Sequence, residues 1–393
     1  MAKELRSRLI FELELLTPGF IGGANLITPV AAPSGLKGAL RFWYRAVAPQ
    51  ALDRKGSRFE GRLFGSTSGQ APFSLRLVSQ DAKPYSVPAL ESQIEGYNQG
   101  HGRNTRNGVR YLGYSLFLGD NKRRQALVPG SRLRFEARFP RGGSELHYQA
   151  LLGSLWLLGH FGALGSRSRR GFGAVQLTGW EGEGSETLQR LLDQLPLLHQ
   201  AAGPIPWRNQ LEKGVERLGQ WFGNNWQSPV YHPHLGRASQ YWLGLQGSGQ
   251  WHRVLNELGR SLQEFRLRRE PDYSDIKARL AHGRPLSHAP ERAAFGLPLT
   301  FRFRATGKKT ARFGAAIGRE TFHRWPSLLL LRPARLGNRL HPLVLRLDGL
   351  VPGQVASPAV LFQAGRGILL EPTQENLLDV YMETLGGARP WMP

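Results

Sequence analysis

The chain has 393 residues, no cysteine, and 52 Lys+Arg against 29 Asp+Glu, a net charge of +23. Without cysteine there are no disulfides and no thiolate chemistry, and no apolar run is long enough to cross a bilayer, so a cytoplasmic protein with no membrane partner is expected. A charge this large attracts polyanions in a salt-sensitive way and points to nucleic acid.

The first eight residues lead into a strand with no signal-peptide core. Arg8–Leu16 alternates like a strand and ends at Thr17-Pro18-Gly19. A loop with Gly19, Gly22 and Gly23 runs to Pro33-Ser34, where Ser34 is the expected N-cap of a helix over Leu36–Val47. On its helical wheel Leu36, Leu40, Trp43 and Val47 share one face. Lys37, Arg41 and Arg45 fall at i, i+4 and i+8 on another face, with Tyr44 between the two. No acid is close in sequence, so the stripe is either a phosphate-contacting surface or a solvated helix face, with Tyr44 as the base-stacking candidate.

Residues 72–78 read as a strand and 79–110 as a polar, mobile insertion. Tyr111–Leu118 and Arg132–Phe139 are further expected strands, and Glu145–Phe161 is an apolar helix. There follows a glycine-rich loop, Gly165-Ser166-Arg167-Ser168-Arg169-Arg170-Gly171-Phe172-Gly173, and a strand over 174–180. Glycines at 165, 171 and 173 permit φ > 0 and close approach to a ligand, and Arg167, Arg169 and Arg170 are fork-shaped phosphate donors. Gly-Lys-Ser/Thr is missing, so this is no nucleotide P-loop. The alternative is a solvated turn whose arginines face water. The order β-α-β-β-(β)-α-β is that of a ferredoxin-like, RRM-type fold.

Residues 181–205 read as a connector between an N-terminal domain (1–180) and a second domain (206–393). In the second half a helix over Gln250–Arg269 precedes strands at Leu297–Ala305, Ser327–Arg332 and Leu340–Leu347 and a closing helix over Thr373–Leu385. These pieces suit a second, decorated ferredoxin-like domain, which makes the fold class α+β. Arg312–Arg319 followed by His323-Arg324-Trp325 interleaves glycine, arginine and aromatic residues, so Arg319 and Arg324 join the candidate RNA contacts. An ordinary surface loop is the alternative.

Acids are placed unevenly. None occurs at 15–52 or 146–180, and only Glu320 interrupts 292–347. The eleven histidines form no metal-ligand spacing and the acids no cluster, so neither metal nor cofactor is expected. A metal-independent ribonuclease needs only a base near a 2′-hydroxyl, for which His160 or His101 beside arginines are the candidates. His160, closing an apolar helix, also reads as a packed residue.

Ser34–Ala46 and Gly165–Gly173 together resemble the RAMP proteins of type III CRISPR systems. The helix motif is similar to that of the first subunit of type III-B Cmr effector complexes, and 295–298 and 325–333 fit its C-terminal half. The resemblance implies two ferredoxin-like domains and a non-catalytic RNA-binding subunit. Such a subunit sits at the head of an RNA-guided complex near the guide 3′ end, beside other RAMP subunits, helping to capture target RNA. It carries contact with guide or target RNA onto Lys37, Arg41, Arg45 and 165–173, that is Gly165, Ser166, Arg167, Arg169, Arg170, Gly171, Phe172 and Gly173. Tyr44 stands where the family often has Trp. A guide-processing RAMP endoribonuclease and a stand-alone single-stranded RNA-binding protein are the alternatives.

Overall fold

The computed structural model describes residues 6–23, 25, 27–48, 57–94, 107–223, 232–286, 288–303, 310–317, 320–349, 359–363, 368–370 and 377–391. The first half opens with β1 (Ser7–Leu15), α1 (Pro33–Val47), α2 (Ser57–Phe64) and β2 (Ser74–Asp81). A small excursion follows: β3 (Pro84–Ser86), α3 (Val87–Gln93), α4 (Gly108–Leu112) and β4 (Gln125–Leu127). Then come β5 (Arg132–Phe139), α5 (Glu145–Phe161) and β6 (Val175–Glu183). The four long strands form an antiparallel sheet in the order β2-β5-β1-β6, which is the ferredoxin-like arrangement.

The period-2 pattern of β1 turns Leu9, Phe11 and Leu13 inward, fully buried, and leaves Arg8, Ile10 and Glu12 on the outer face. α1 and α5 lie on the inner face. α5 is apolar almost all round and starts with a capping box, Ser144 and His147 exchanging bonds with each other's backbone. α1 begins two residues earlier than the N-cap reading allows. Pro33 occupies the first turn and Ala32 the cap position with no side-chain cap, so Ser34 lies inside the helix. Proline's fixed φ and missing N–H suit that place.

Two expectations around the excursion change. Residues 84–93 of the expected mobile insertion are a strand and a helix, while 95–106 lie outside the described residues. Tyr111–Leu118 is not a strand: α4 ends at Leu112 and a turn follows. Packing overrides β propensity here. A Cβ on Gly108 would overlap Asn256 and one on Gly259 would overlap Gly108, so the backbones cross at glycine-only distance. The Gly108 amide also donates to Asn256 Oδ1 at 2.8 Å.

After β6 the chain forms α6 (Glu186–Leu192), whose Leu188 and Leu191 are buried, and α7 (Pro204–Phe222). The second half then repeats the first plan. β7 (Gln240–Leu243) and α8 (Trp251–Leu267) lead to α9 (Asp272–His282) and to β8 (Leu299–Arg302), β9 (Thr310–Ile317) and β10 (Glu320–His323). β11 (Leu329–Leu336) and β12 (Arg339–Arg346) form a hairpin. β13 (Ala359–Gln363), β14 (Ile368–Leu370), α10 (Leu377–Thr384) and β15 (Arg389–Pro390) complete it. β7-α8-β11-β12-α10-β15 is again β-α-β-β-α-β, and the sheet order β11-β12-β7-β15 again places the first and third strands in the centre. The remaining strands make a separate sheet, β10-β9-β13-β14 with β8 beside β9. The fold is therefore α+β with two ferredoxin-like units and insertions. Arg312–Ile317, expected as a loop, belongs to β9 because Phe313 and Ala315 on one face are fully buried.

Candidate RNA interface

Helix α1 carries its two faces as expected in part. Leu36, Leu40, Trp43 and Val47 are buried, and so is Tyr44, at 2% exposure, edge-on to Phe222 and tilted against Phe64. Tyr44 therefore cannot be the stacking platform, and burial drives its phenol well above the usual range. Nor is the basic stripe uncompensated. Glu60 on α2, 1% exposed, accepts from Arg41 Nε and bidentately from Arg45, at 2.5 and 2.9 Å. Burial alone would raise the Glu60 carboxyl, but the two guanidiniums outweigh it and hold it below the ordinary carboxylate range. Sequence distance hid this acid, which α2 carries underneath the helix. Lys37 stands 5.8 Å from the Phe73 ring centroid, its amine lowered by burial and by Arg41.

The glycine loop keeps its predicted backbone: Gly165, Gly171 and Gly173 have φ of +88°, +86° and +67°. A Cβ on Gly165 would press on the Phe20 carbonyl and one on Gly173 on the Leu164 carbonyl. Its arginines are turned mainly to the protein. Arg167, at φ +60°, donates through Nε and Nη2 to Ser115 Oγ at 3.0 and 2.8 Å. Arg169 donates to the Ser327 carbonyl and lies 5.0 Å over the Phe42 ring. Arg170 donates to the Phe295 carbonyl at 3.0 Å, and Leu331 N returns a bond to Arg169 O. Burial lowers Arg169 and Arg170 to about 10. Arg170 is thus a fastening between the halves rather than a phosphate donor. Phe172 is fully buried against Phe20 and Phe117, which removes it from the candidate surface too. Gly171 packs on Leu255 and acts in the fold.

Helix and loop nevertheless meet. Gly35, Ala39, Phe42 and Trp43 of α1 face Gly162–Gly165, Ser168 and Arg169 across a cleft of about 240 Å³. A larger open groove, about 1050 Å³, lies on the other flank of α1 and is lined by Lys37 and Arg41. Arg324 is exposed, Trp325 beside it is buried by its pairing with Leu297, and Arg319 lies outside the described residues. Tyr114, missed in the sequence because 111–118 read as a strand, is 64% exposed. Its neighbours are tied to the loop, Gly113 against Phe172 and Ser115 to Arg167.

The outer face of the first sheet, which RRM domains use for RNA, is laddered with ion pairs instead. Arg8 meets Glu183 and Glu136, Arg76 and Arg138 meet Glu136, and Arg134 meets Glu181. His160 is buried, its Nδ1 accepting from Gln176 Nε2 at 3.0 Å, and is out of reach of any RNA hydroxyl. His101 lies outside the described residues. Among the described residues no three His, Cys, Asp or Glu side chains could jointly hold a metal ion, and no helix is long and apolar enough to cross a membrane.

Residues 12–176 match the RAMP superfamily model. The chain is 25% identical over 184 residues to the CRISPR system Cmr subunit Cmr1-2 of Pyrococcus furiosus, covering 43% of this chain and 94% of that one. It is 25% identical over 279 residues to Cmr1-1 of the same organism, covering 68% and 74%. The crystal structure of apo Cmr1 from P. furiosus superimposes with a TM-score of 0.61 at 19% identity over 98% of both chains. A chain of the Type III-B Cmr-beta complex bound to cognate target RNA gives 0.52 at 11% identity, over 97% and 99%. The RAMP match thus spans the first ferredoxin-like unit, and the chain as a whole is similar to Cmr1 subunits.

Proposed function

We propose that this chain is a non-catalytic subunit of a type III-B CRISPR RNA-guided complex that holds single-stranded RNA, guide or target, across α1 and the glycine-rich loop. One observation carries the reading. Two motifs more than a hundred residues apart converge on a single cleft, where α1 offers Gly35 and Ala39 without bulk and the loop offers Arg169 stacked on Phe42. Arg167 and the exposed Tyr114 extend the same edge, and they supply a guanidinium and a free aromatic face of the kind that binds single strands. The net charge of +23 provides the long-range attraction. The relatives support the setting, since they are Cmr subunits and one similar structure is a complex bound to target RNA. Placement at the head of the complex near the guide 3′ end, with other RAMP subunits as neighbours, follows from the family resemblance. A division into two domains at 181–205 rests on the composition of that segment, acidic and glycine-rich at its start and closed by Gly203-Pro204.

The test uses the purified full chain with a fluorescein-labelled oligouridylate, followed by anisotropy over a salt series. Binding with little sequence preference that weakens steeply with salt is expected; equal binding at low and high salt overturns the reading. In parallel, repeat RNA and guide-complementary RNA are incubated with the chain, with and without Mg²⁺ or Mn²⁺. Intact RNA is expected. Products that disappear in His101→Ala would make this a processing endoribonuclease.

A further inference from the structure

We propose that the open groove between α1 and the turn at 65–71 is a track for the phosphodiester backbone of single-stranded RNA, with the hydroxyl-bearing turn as its second wall. The proposal rests on the RNA-binding reading above and adds to the Lys37–Arg41 stripe a second wall, the turn at 65–71, that no motif marks. One wall is Lys37 and Arg41, one helical turn apart. The other is Ser66, Thr67, Ser68, Gly69 and Gln70, all exposed. That turn is closed on itself, Ser66 N to Gly69 O at 2.8 Å and Ser68 N to Ser66 Oγ at 3.1 Å, so Thr67 and Ser68 stand at a fixed tip. Cations facing hydroxyls across an open channel are the donor set of a phosphate track.

Three further observations favour this ligand. Among the described residues that line the groove none is acidic, so the open side of Lys37 and Arg41 faces no carboxylate in the lining. Glu60 binds Arg41 from beneath, which fixes the guanidinium in the wall. Lys37 is disfavoured as a cation by burial and by Arg41, and a phosphate between them would relieve both effects. The floor, Phe64 and Phe73, is buried and its Phe73 ring lies under Lys37, which leaves no open face for a base. The volume of about 1050 Å³ is at the upper end for one small molecule, which suits a continuous strand.

The experiment compares Thr67→Asp/Ser68→Asp with Gln246→Asp/Gln250→Asp, an equal charge change at exposed positions in the second half, using the labelled oligouridylate. Thermal midpoints confirm that each variant folds. The groove pair is expected to weaken binding about tenfold and the distant pair less than about twofold. Equal weakening by both pairs would reduce the effect to bulk charge and overturn the track. Unchanged binding by the groove pair, with wild-type binding intact, would also overturn it and leave the cleft as the interface. Failure of the wild-type chain to bind would instead sink the RNA reading on which it rests.

Discussion

Arg332 Nη1 donates to the carbonyl of Gly162, 170 positions earlier, at 2.6 Å. Its Nη2 reaches Val175 O at 2.7 Å and its Nε reaches Pro333 O at 2.8 Å, all inside a side chain only 2% exposed. One guanidinium thus ties the end of α5 and the start of β6, the two edges of the glycine loop, to β11 of the second half. Burial lowers it to about 9, since no carboxylate shares the site. Arg332→Ala would take a donor from each of three carbonyls, of which Gly162 O keeps only the 3.4 Å bond from Val175 N, so a loss of about 3–5 kcal/mol is expected. Arg332→Lys should fall between, because an ammonium cannot span the same fork. Thermal unfolding measures both; an alanine variant as stable as wild type would show that the halves are held elsewhere.

The buried Glu60 carboxylate neutralises, from beneath, the Arg41 and Arg45 guanidiniums whose other side is open to solvent. Glu60→Gln should lower the thermal midpoint, since two half-buried guanidiniums lose their counter-charge, at a cost of about 1–3 kcal/mol. Saturating oligouridylate should then raise the midpoint of the variant by more than it raises that of the wild type, because the ligand replaces the missing anion. Equal shifts in the two proteins would separate these arginines from the phosphates.

Tyr114 is a test of stacking at the loop. Tyr114→Ala should weaken RNA binding by about 1–2 kcal/mol while leaving the thermal midpoint unchanged, and Tyr114→Phe should restore most of the affinity. If alanine and phenylalanine bind alike, no base stacks there. If both the affinity and the midpoint fall together in Tyr114→Ala, its exposed ring is a packing element for the loop.

The long periodic elements of the first half were readable in the sequence. Glu145–Phe161 coincides with its helix end to end, and the fold order followed from strand, helix and turn signals. The short strands β7 and β15 were not, since four and two residues carry no period, and they are held by their pairing with β12 and with each other. Glycine positions were legible because φ > 0 is a local demand. The arginine roles were not, because an arginine bound for a phosphate and one bound for a carbonyl more than a hundred residues away look identical in a one-dimensional string. The Arg170–Phe295 pair is of this kind, and Arg41 likewise gave no sign that Glu60, 19 positions on, is its partner.

The last prediction concerns acid sensitivity. His160 sits next to His199 and Arg332, and burial with these neighbours pushes its imidazole well below the usual range. Burial also lowers His199, beside Arg335, and brings His232, beside Arg45 and Arg169 and 5.1 Å from the Phe42 ring, to about 4. Each is therefore neutral in the folded chain while its unfolded counterpart takes a proton near pH 6.5. Where the unfolded state binds more protons, stability falls as pH falls. The contribution is complete above about pH 6.5 and is lost below it by up to about 1.4 kcal/mol per unit per histidine, until the folded pKa is reached. The thermal midpoint should accordingly decline between about pH 7.5 and 5.5, and His232→Phe should flatten the slope while keeping its ring contact with Phe42. Histidine NMR gives an independent reading. The Gln176 bond places the His160 proton on Nε2, and that neutral tautomer should persist well below the pH at which a free imidazole takes its proton. A midpoint independent of pH over this range, or a His160 resonance titrating near 6.5, would contradict the burial on which the prediction rests.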